Sequence, residues 1–348
     1  MNIIDCKNIV SDLEKVMSEI KYSKVFVLTD KGSHTYCCDF LKNVNFEYKS
    51  IVLESGDENK NINTLSYVWQ FLTENGADRE SLLINLGGGM VTDLGGFAAS
   101  TFKRGIYFIN IPTTLLAMVD AAVGGKTGIN FCGFKNEIGV IRDADAVMID
   151  SSFSKTLDNE NVLSGFAEML KHGLISKTSH FDDLQKFDWE NIDYTILNQL
   201  VMDSNEIKQQ IVEIDPNEKG IRKALNFGHT IAHALEANAL KNGEHILHGT
   251  AVALAMIPEL YLSFKKQNLR SEIMTSVIRI VKELYAPYHI SCDDYETLFE
   301  YIKHDKKNSG DNINFTLISD IGQVHINQHC SKEEIFAALD FYRNEMGI

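Results

Sequence analysis

The sequence predicts an α/β fold in which an amino-terminal domain with a mainly parallel sheet precedes a mainly α-helical domain. Two observations support this prediction. Short apolar runs alternate with helical patterns over the first 150 residues, and long helical patterns dominate the remainder. The length of 348 residues also suits two domains of roughly 150 residues or more. We therefore expect one domain at residues 1–150 and a second at residues 151–348.

The expected strands of the first domain are short runs rich in Val and Ile that mostly end in Gly, Asp, Ser or Pro. They cover residues 25–30, 50–55, 81–87, 106–112 and 146–150. Continuous apolar runs of this length are typical of parallel strands buried on both faces. Helical patterns such as residues 63–77 separate them. This alternation predicts a doubly wound domain that binds ligands beyond the carboxyl ends of its strands.

The second domain is predicted from long helical stretches. They cover residues 161–175, 195–214, 220–240, 249–267 and 271–286. Strand signals return only at INFTLISD (313–320) and GQVHI (322–326). This domain is therefore expected to be mainly helical.

Composition and charge exclude some classes of function. The formal net charge of -15 argues against a nucleic-acid surface, which needs a basic face, but it is compatible with a local cationic pocket for a small anion. The six cysteines form no CxxC pair, which favours reduced intracellular thiols. No apolar signal core or membrane-spanning run is visible. We expect a cytoplasmic protein with no membrane or nucleic-acid partner.

Two glycine-rich segments are candidate phosphate sites. NLGGGMVTDLGG (85–96) follows an expected strand and enters a helix, where free N–H groups suit a pyrophosphate, but it does not read G-x-G-x-x-G. Alone it fits a tight strand–helix turn equally well. VDAAVGGKTG (119–128) has Asp120 where a P-loop needs Gly, which disfavours an ATPase. Lys126 remains a candidate anion ligand.

Histidines and one glutamate suggest a metal site. His229 and His233 are four residues apart, a spacing that puts both on one face of a helix, and His248 follows at the next helical run. Glu168 lies on an expected helix, with Lys171 one turn later. One Glu with two His is a common catalytic-zinc ligand set. Spacing alone leaves six candidates open: Glu168, His172, His229, His233, His245 and His248.

The motifs together resemble the 3-dehydroquinate synthase family of the sugar-phosphate cyclase superfamily. The matching run extends over about residues 25–325 and includes GGGMVTDLGGFAAS, IPTTLLAMVDAAVGGKTGIN, SGFAEMLKHGLI, GIRKALNFGHTIAHALE, LHGTAVA and HDKKNSG. The resemblance implies a Rossmann-like amino-terminal domain and a homodimer that uses NAD and one divalent metal, zinc or alternatively cobalt. It also implies conversion of 3-deoxy-D-arabino-heptulosonate 7-phosphate to 3-dehydroquinate and phosphate in the shikimate pathway. The implied steps are transient oxidation by NAD, β-elimination of phosphate, re-reduction and intramolecular aldol closure.

The resemblance also assigns expected roles to individual residues. It implies that Glu168, His229 and His248 hold the metal and that His233 serves the substrate phosphate and proton transfer. The expected substrate pocket further includes Lys126, Lys135, Asn136, Lys171, Lys208, Arg222, Asn226, Lys306 or Lys307, and Arg104 lent by the partner subunit. The expected NAD positions are Asp30, Asp57, Lys60, Gly88, Gly89, Asp93, Thr113, Thr114, Asp120, Lys126, Lys135, Phe153 and Thr156.

Three departures from the family pattern accompany the match. Thr250 stands where the family usually has Glu after the LHG motif, Asn161 stands where an acid is expected near the cofactor, and Asp57 replaces the more usual Glu. The residues leave three rival functions open. They are another sugar-phosphate cyclase, a metal-dependent glycerol or alcohol dehydrogenase, and a non-catalytic NAD-binding protein. Arg222, Asn226 and His233 favour the carboxylate-bearing substrate of 3-dehydroquinate synthase.

Overall fold

The computed structural model describes residues 1–132, 134–303 and 313–348. These residues form two compact units. Unit 1 contains Met1–Asp158 and Tyr194–Asn205, and unit 2 contains Asn159–Asp193 and Glu206–Ile348. The predicted fold class is confirmed, while the functional division expected at residue 150 stays a prediction. None of the helices in the described part combines the length and apolarity needed to cross a membrane.

Unit 1 is built on a parallel sheet that is flanked by helices. The strands of this unit are β1 Ile3–Asp5, β2 Val25–Asp30, β3 Tyr48–Leu53, β4 Leu82–Gly87, β5 Tyr107–Pro112, β6 Lys126–Phe131, β7 Phe134–Ile141 and β8 Ala146–Ile149. Six of them form a parallel sheet in the order β1-β8-β5-β4-β2-β3. All residues of β4 and β8 are buried, which explains their uninterrupted apolar sequences. The five predicted strands are confirmed within two residues at each end.

Helices, one hairpin and the segment Tyr194–Asn205 complete unit 1. The helices are α1 Ile9–Ser18, α2 Lys31–Cys37, α3 Ile62–Glu74 and α4 Gly89–Thr101. The antiparallel hairpin β6–β7 lies outside the main sheet, and it follows one π-helical turn at Ala117–Ala121. The glycines within residues 119–128 mask the alternation of β6, so the sequence predicted a glycine-rich segment there and no hairpin.

Unit 2 is mainly helical, as predicted. Its elements are α5 Asn159–Ile175, α6 Thr178–Lys186, the second half of α7 Tyr194–Ile214, α8 His229–Lys241, α9 His248–Gln267, α10 Ser271–Leu284, α11 Tyr295–Lys303, the antiparallel pair β9 Asn314–Asp320 and β10 Gln323–His329, and α12 Lys332–Met346. Helix α9 is the centre of this unit. Its residues from Ala251 to Leu260 are fully buried, and it contacts α5, α8, α10 and α12.

The prediction of one continuous helix over residues 220–240 is wrong. A short 3₁₀ helix covers Ile221–Asn226, and α8 begins only at His229. Between them Gly228 has φ +81°, a left-handed conformation that glycine adopts at low cost. A Cβ atom at this glycine would lie 3.2 Å from Met256 Cγ and 3.3 Å from Val252 Cγ1, both on α9. The break therefore lets the chain turn tightly against α9 and makes His229 the first residue of a helix.

Candidate active site

The starts of two helices and the middle of a third bring one carboxylate and two imidazoles together in unit 2. Glu168 lies in α5, His229 is the first residue of α8, and His248 is the first residue of α9. Oε1 of Glu168 is 3.4 Å from Nε2 of His229 and 3.4 Å from Nε2 of His248. One donor atom from each residue lies within 4.8 Å of the other two. We call these three residues the metal triad.

The spacing of the triad fits a shared divalent cation. Zinc binds His nitrogen at about 2.0–2.1 Å and carboxylate oxygen at about 2.0–2.2 Å, so two ligands of one tetrahedral ion lie about 3.3–3.4 Å apart. Direct hydrogen bonds between a charged nitrogen and a carboxylate are shorter, about 2.7–2.9 Å. The two 3.4 Å separations match the first geometry. The donor types and their spacing therefore fit a zinc-like metal.

The carboxylate of Glu168 is held in its charged form. Glu168 is fully buried, and burial is the largest single influence on its pKa, which it works to raise. The nearby Lys171, His229 and His248 outweigh burial and bring the pKa well below its usual value. Lys171 lies one turn further along α5, is 1% exposed and forms an ion pair with Glu168. The deprotonated form is the one that ligates a metal.

In each imidazole of the triad, Nδ1 contacts an oxygen atom that orients the ring. Nδ1 of His229 is 3.1 Å from the Phe227 carbonyl oxygen, which can only accept, so Nδ1–H donates and Nε2 keeps its lone pair. Nδ1 of His248 is 3.4 Å from Oε2 of Glu236. Burial lowers the pKa of His248, but the carboxylates of Glu236 and Glu168 outweigh it and raise this pKa to about 10. A carboxylate behind a histidine is a common support for a metal ligand.

The remaining histidine candidates occupy different positions. The His233 ring is centred 5.7 Å from the His229 ring and 6.3 Å from the His248 ring, so it lies beside the triad. His172 is fully buried one turn after Glu168 in α5. His245 is exposed in the segment between α8 and α9. The choice of three ligands among six stays a prediction, and the geometry supports it.

Several predicted substrate residues of unit 2 are buried cations. Lys171 is 1% exposed, Arg222 2% and Lys208 6%. Buried lysine and arginine side chains suit a ligand that carries phosphate or carboxylate groups. Their roles stay predictions. Lys306 and Lys307 lie outside the described residues.

A loop ordered by an acidic residue leads to Arg222. Oδ2 of Asp215 accepts the backbone N–H groups of Gly220 at 2.6 Å and Arg222 at 3.2 Å, and Oδ1 accepts that of Lys219 at 3.0 Å. The Arg222 guanidinium donates to the Pro216 carbonyl at 2.8 Å. The loop therefore fixes both the backbone and the side chain of Arg222.

Two acidic residues near the predicted site were missed by sequence reasoning. Glu218, in the loop before Arg222, accepts a hydrogen bond of 2.9 Å from Asn226 Nδ2, and its backbone has φ +56°. Glu236 supports His248. Neither residue stands in a spacing pattern, since each acts through a contact that only the tertiary fold creates. The only available signal was an acidic residue three or four positions from a predicted site residue, His233 or Arg222.

The predicted NAD residues of unit 1 cluster at one edge of the parallel sheet. Asp30 ends β2, Gly88 and Gly89 follow β4, and Thr113 and Thr114 follow β5. The carboxyl ends of parallel strands lie on the same edge, where doubly wound sheets bind nucleotides. Asp30 also has a structural role, because it caps α2 by accepting the Ser33 N–H at 2.7 Å.

Polar contacts around the buried Lys60 join further predicted residues of unit 1. Lys60 is 4% exposed, pairs with Asp93 and donates to Oδ1 of Asn136 at 2.5 Å. Burial raises the pKa of Asp93, even though Lys60 opposes this. Lys135 Nζ is 3.8 Å from Asp57 Oδ2. These contacts thus join residues that were assigned separately to NAD and to substrate.

The other predicted residues of unit 1 lie in separate parts of this unit. Asp120 lies in the π-helical turn, Lys126 is exposed at the start of β6, and Thr156 Oγ1 donates to the Phe153 carbonyl at 2.8 Å. Arg104 is exposed and has φ +71°. It lines a surface cleft of about 610 Å³ with Asp78, Arg79, Thr101 and Lys103.

The chain matches known proteins over its whole length. The protein-family model named 3-dehydroquinate synthase N-terminal matches residues 50–164. The family model named 3-dehydroquinate synthase C-terminal matches residues 165–308. The 3-dehydroquinate synthase of Parabacteroides distasonis is 49% identical over 348 residues, covering 99% of each chain.

Two solved structures share the fold at low sequence identity. A 2-epi-5-epi-valiolone synthase from Streptomyces hygroscopicus, with NAD+ and Zn2+ bound, has a TM-score of 0.87 and 22% identity, covering 99% of this chain and 96% of that one. A 2-deoxy-scyllo-inosose synthase, complexed with carbaglucose-6-phosphate, NAD+ and Co2+, has a TM-score of 0.86 and 21% identity, covering 97% and 95%. At this identity the likeness concerns the fold. The two family-model matches and the full-length relative together establish that this chain belongs to the 3-dehydroquinate synthase family.

Proposed function

We propose that this chain carries out the 3-dehydroquinate synthase reaction with a divalent metal, zinc, held by the metal triad. Its activity is that of a carbon–oxygen lyase, which converts 3-deoxy-D-arabino-heptulosonate 7-phosphate to 3-dehydroquinate and phosphate in the shikimate pathway. The two equal separations of 3.4 Å around Oε1 of Glu168 carry the metal assignment. They are the spacing of ligands that share an ion.

The bound groups supply chemistry that side chains lack. The metal, when bound, supplies a Lewis acid for neighbouring substrate hydroxyls, and NAD supplies a reversible hydride acceptor. The overall conversion of substrate to product and phosphate involves no net oxidation. The chain's own residues therefore need to bind the substrate, orient it and handle protons.

The cations of unit 2 are suited to hold the substrate's two anionic groups. Lys208 and Arg222 are buried, so their charges act in a low-dielectric environment, and the Asp215 loop fixes the direction of Arg222. His233 stands beside the triad, where an imidazole can contact the phosphate and hold or release a proton. Lys171 keeps Glu168 charged and adds a buried cation next to the triad.

Unit 1 is the proposed NAD site. The start of α4 at Gly88–Gly89 offers backbone N–H groups to a pyrophosphate, and polar residues follow β2 and β5 at the same edge of the sheet. The two structural neighbours contain NAD+ together with Zn2+ or Co2+, which supports NAD with a divalent metal for this fold.

The hairpin β6–β7 supports the proposed homodimer. Phe131, Ile138, Val140 and Ile141 are 41%, 38%, 37% and 54% exposed, which gives this hairpin an apolar surface. Directly after it, Arg142 donates to the carbonyls of Ala99 and Ile106, on either side of Arg104 in the chain. An apolar surface connected to the Arg104 segment fits a shared interface across which Arg104 reaches the partner's site.

Product and phosphate analysis tests the proposal. Purified chain with 3-deoxy-D-arabino-heptulosonate 7-phosphate is expected to release phosphate and form 3-dehydroquinate, and to lose this activity without NAD or with a chelator. Turnover of sedoheptulose 7-phosphate instead would assign another cyclase, and bulk release of NADH would assign a dehydrogenase. His229→Ala is expected to abolish metal binding, and full metal content in this variant would refute the ligand set.

A further inference from the structure

A fully buried glutamate contacts the start of the helix that carries His229. Glu259 lies in α9, has no exposed surface, and stands directly after Pro258 inside the helix. Its Oε2 accepts the backbone N–H of Gly228 at 2.7 Å, and its Oε1 accepts that of Ile231 at 3.1 Å. Both bonds join residues about thirty positions apart in the sequence. Their donors, Gly228 and Ile231, lie on either side of His229 in the chain.

The carboxylate takes the place of a missing helix cap. The N-cap of α8 is Gly228, which has no side chain to accept a first-turn N–H group. Ile231 is the third residue of α8, and its N–H is the group that a capping Ser, Thr or Asp normally binds. Glu259 supplies this acceptor from α9, and its negative charge suits the positive end of the helix.

The capping arrangement explains why glycine precedes a metal ligand. Gly228 is needed for the left-handed turn against Val252 and Met256, so the cap cannot come from its own position. Helix α9 therefore provides both the surface on which the turn packs and the acceptor that closes it. It also carries His248.

We infer that Glu259 is a positioning residue for the proposed metal centre, which fixes the His229 backbone before the metal binds. This inference rests on the proposed function. The two hydrogen bonds of Glu259 hold the residue before His229 and the residue two after it. The Phe227 carbonyl then sets the ring direction through Nδ1. Ligand positions need tolerances of about 0.2 Å, which a frayed first turn would not keep.

A pair of variants separates positioning from general support of the fold. Glu259→Gln keeps the shape of the side chain but replaces one acceptor oxygen with an NH₂ group, which faces a backbone N–H. Ser263→Ala is the matched control. Ser263 is fully buried one turn further along α9, donates to the Glu259 carbonyl and accepts the Ile318 N–H at 3.1 Å. Both variants are expected to lower the melting temperature of the metal-free protein.

Zinc affinity of the full-length chain, measured by competition with a chelating indicator, is the deciding readout. We expect Glu259→Gln to bind Zn²⁺ about 10–100-fold more weakly than the unaltered chain, the usual effect of losing an outer support, while Ser263→Ala keeps the original affinity. Equal affinity in both variants would overturn the positioning role. Absence of zinc binding in the unaltered chain would instead refute the proposed metal centre itself.

Hydrogen exchange of the unaltered chain provides a test that does not depend on a variant folding. Peptides covering residues 224–234 are expected to be protected equally in the metal-free and zinc-loaded protein, because Glu259 already binds the Gly228 and Ile231 amides. Fast exchange without metal, with protection only after addition of Zn²⁺, would overturn the inference. In that case the metal, and not Glu259, would order the turn.

Discussion

The glycine after His248 gives the sharpest test of how the metal triad is assembled. Gly249 lies in the first turn of α9, where its N–H donates to Ser164 Oγ at 3.1 Å. A Cβ atom at this position would lie 2.7 Å from Ser164 Cα and would overlap the Ser164 carbonyl oxygen. Glu168 is one turn further along α5. Gly249→Ala therefore perturbs the contact between the two helices that carry Glu168 and His248.

The expected magnitude follows from the overlap. Carbon atoms in ordinary contact lie about 3.5–4.0 Å apart, so the alanine would have to move α9 from α5 by about 1 Å. Overpacking of this kind costs about 1–3 kcal/mol of unfolding free energy. The same movement exceeds the tolerance of about 0.2 Å for metal–ligand distances. We therefore expect Gly249→Ala to weaken Zn²⁺ binding at least tenfold, which corresponds to about 1.4 kcal/mol.

Urea unfolding and chelator competition measure these two effects separately. Gly243→Ala is the matched control, because Gly243 has φ +71° but no atom lies within 4 Å of the place that a Cβ would take. Its backbone strain costs about 1–2 kcal/mol without moving a helix. The control is expected to lose stability and keep its zinc affinity. Unchanged zinc affinity in Gly249→Ala would refute the idea that this backbone contact sets the spacing of Glu168 and His248.

Three further predictions follow from individual contacts. Arg104→Ala and Lys208→Ala should each be inactive alone, yet mixed and reassembled dimers should regain part of the activity. No rescue would contradict a site shared between subunits. Asp215→Ala releases the backbone of the Arg222 loop and should raise KM for the substrate about tenfold, equal to about 1.4 kcal/mol of binding, with a smaller effect on kcat; an unchanged KM would exclude this role. Glu236→Gln should weaken Zn²⁺ binding about 10–100-fold in a chelator competition, and wild-type affinity would show that His248 needs no carboxylate behind it.

The parts of the fold that the sequence predicted are those with local signals. Parallel strands buried on both faces appear as continuous apolar runs, so β2, β3, β4, β5 and β8 were found. Strand β1 has three residues and is defined by its pairing with β8, which is a non-local property. The helix break at Gly228 was missed because the apolar pattern continues across it, while the need for a turn comes from α9.

Spacing along the chain favoured His233 as the partner of His229. Residues four apart share a helix face, which pointed to His233. In the structure, however, Nε2 of His248 is the atom that meets Glu168 Oε1 at the same 3.4 Å distance as His229. That match depends on how α5, α8 and α9 pack, and no periodicity along one helix encodes it. The family resemblance selected the same three residues because it carries the packing implicitly.

The contacts of His248 show what the departure at Thr250 means for this histidine. An acid is the usual residue two positions after His248, and here this position is Thr250. Glu236 of α8 places a carboxylate 3.4 Å from His248 Nδ1. The support of His248 therefore does not depend on residue 250 being acidic.

One local signal does separate the proposed ligands from His233, and its cause is physical. His229 follows Gly228 and His248 precedes Gly249, because each ligand begins a helix that closely approaches a neighbouring helix. His233 and His245 have no adjacent glycine. The same signal also marks His172, whose neighbour Gly173 packs against the Phe181 backbone. An adjacent glycine therefore reduces the five candidate histidines to three. The choice among these three depends on the carboxylate of Glu168, and only the packing of the helices brings that carboxylate close to His229 and His248.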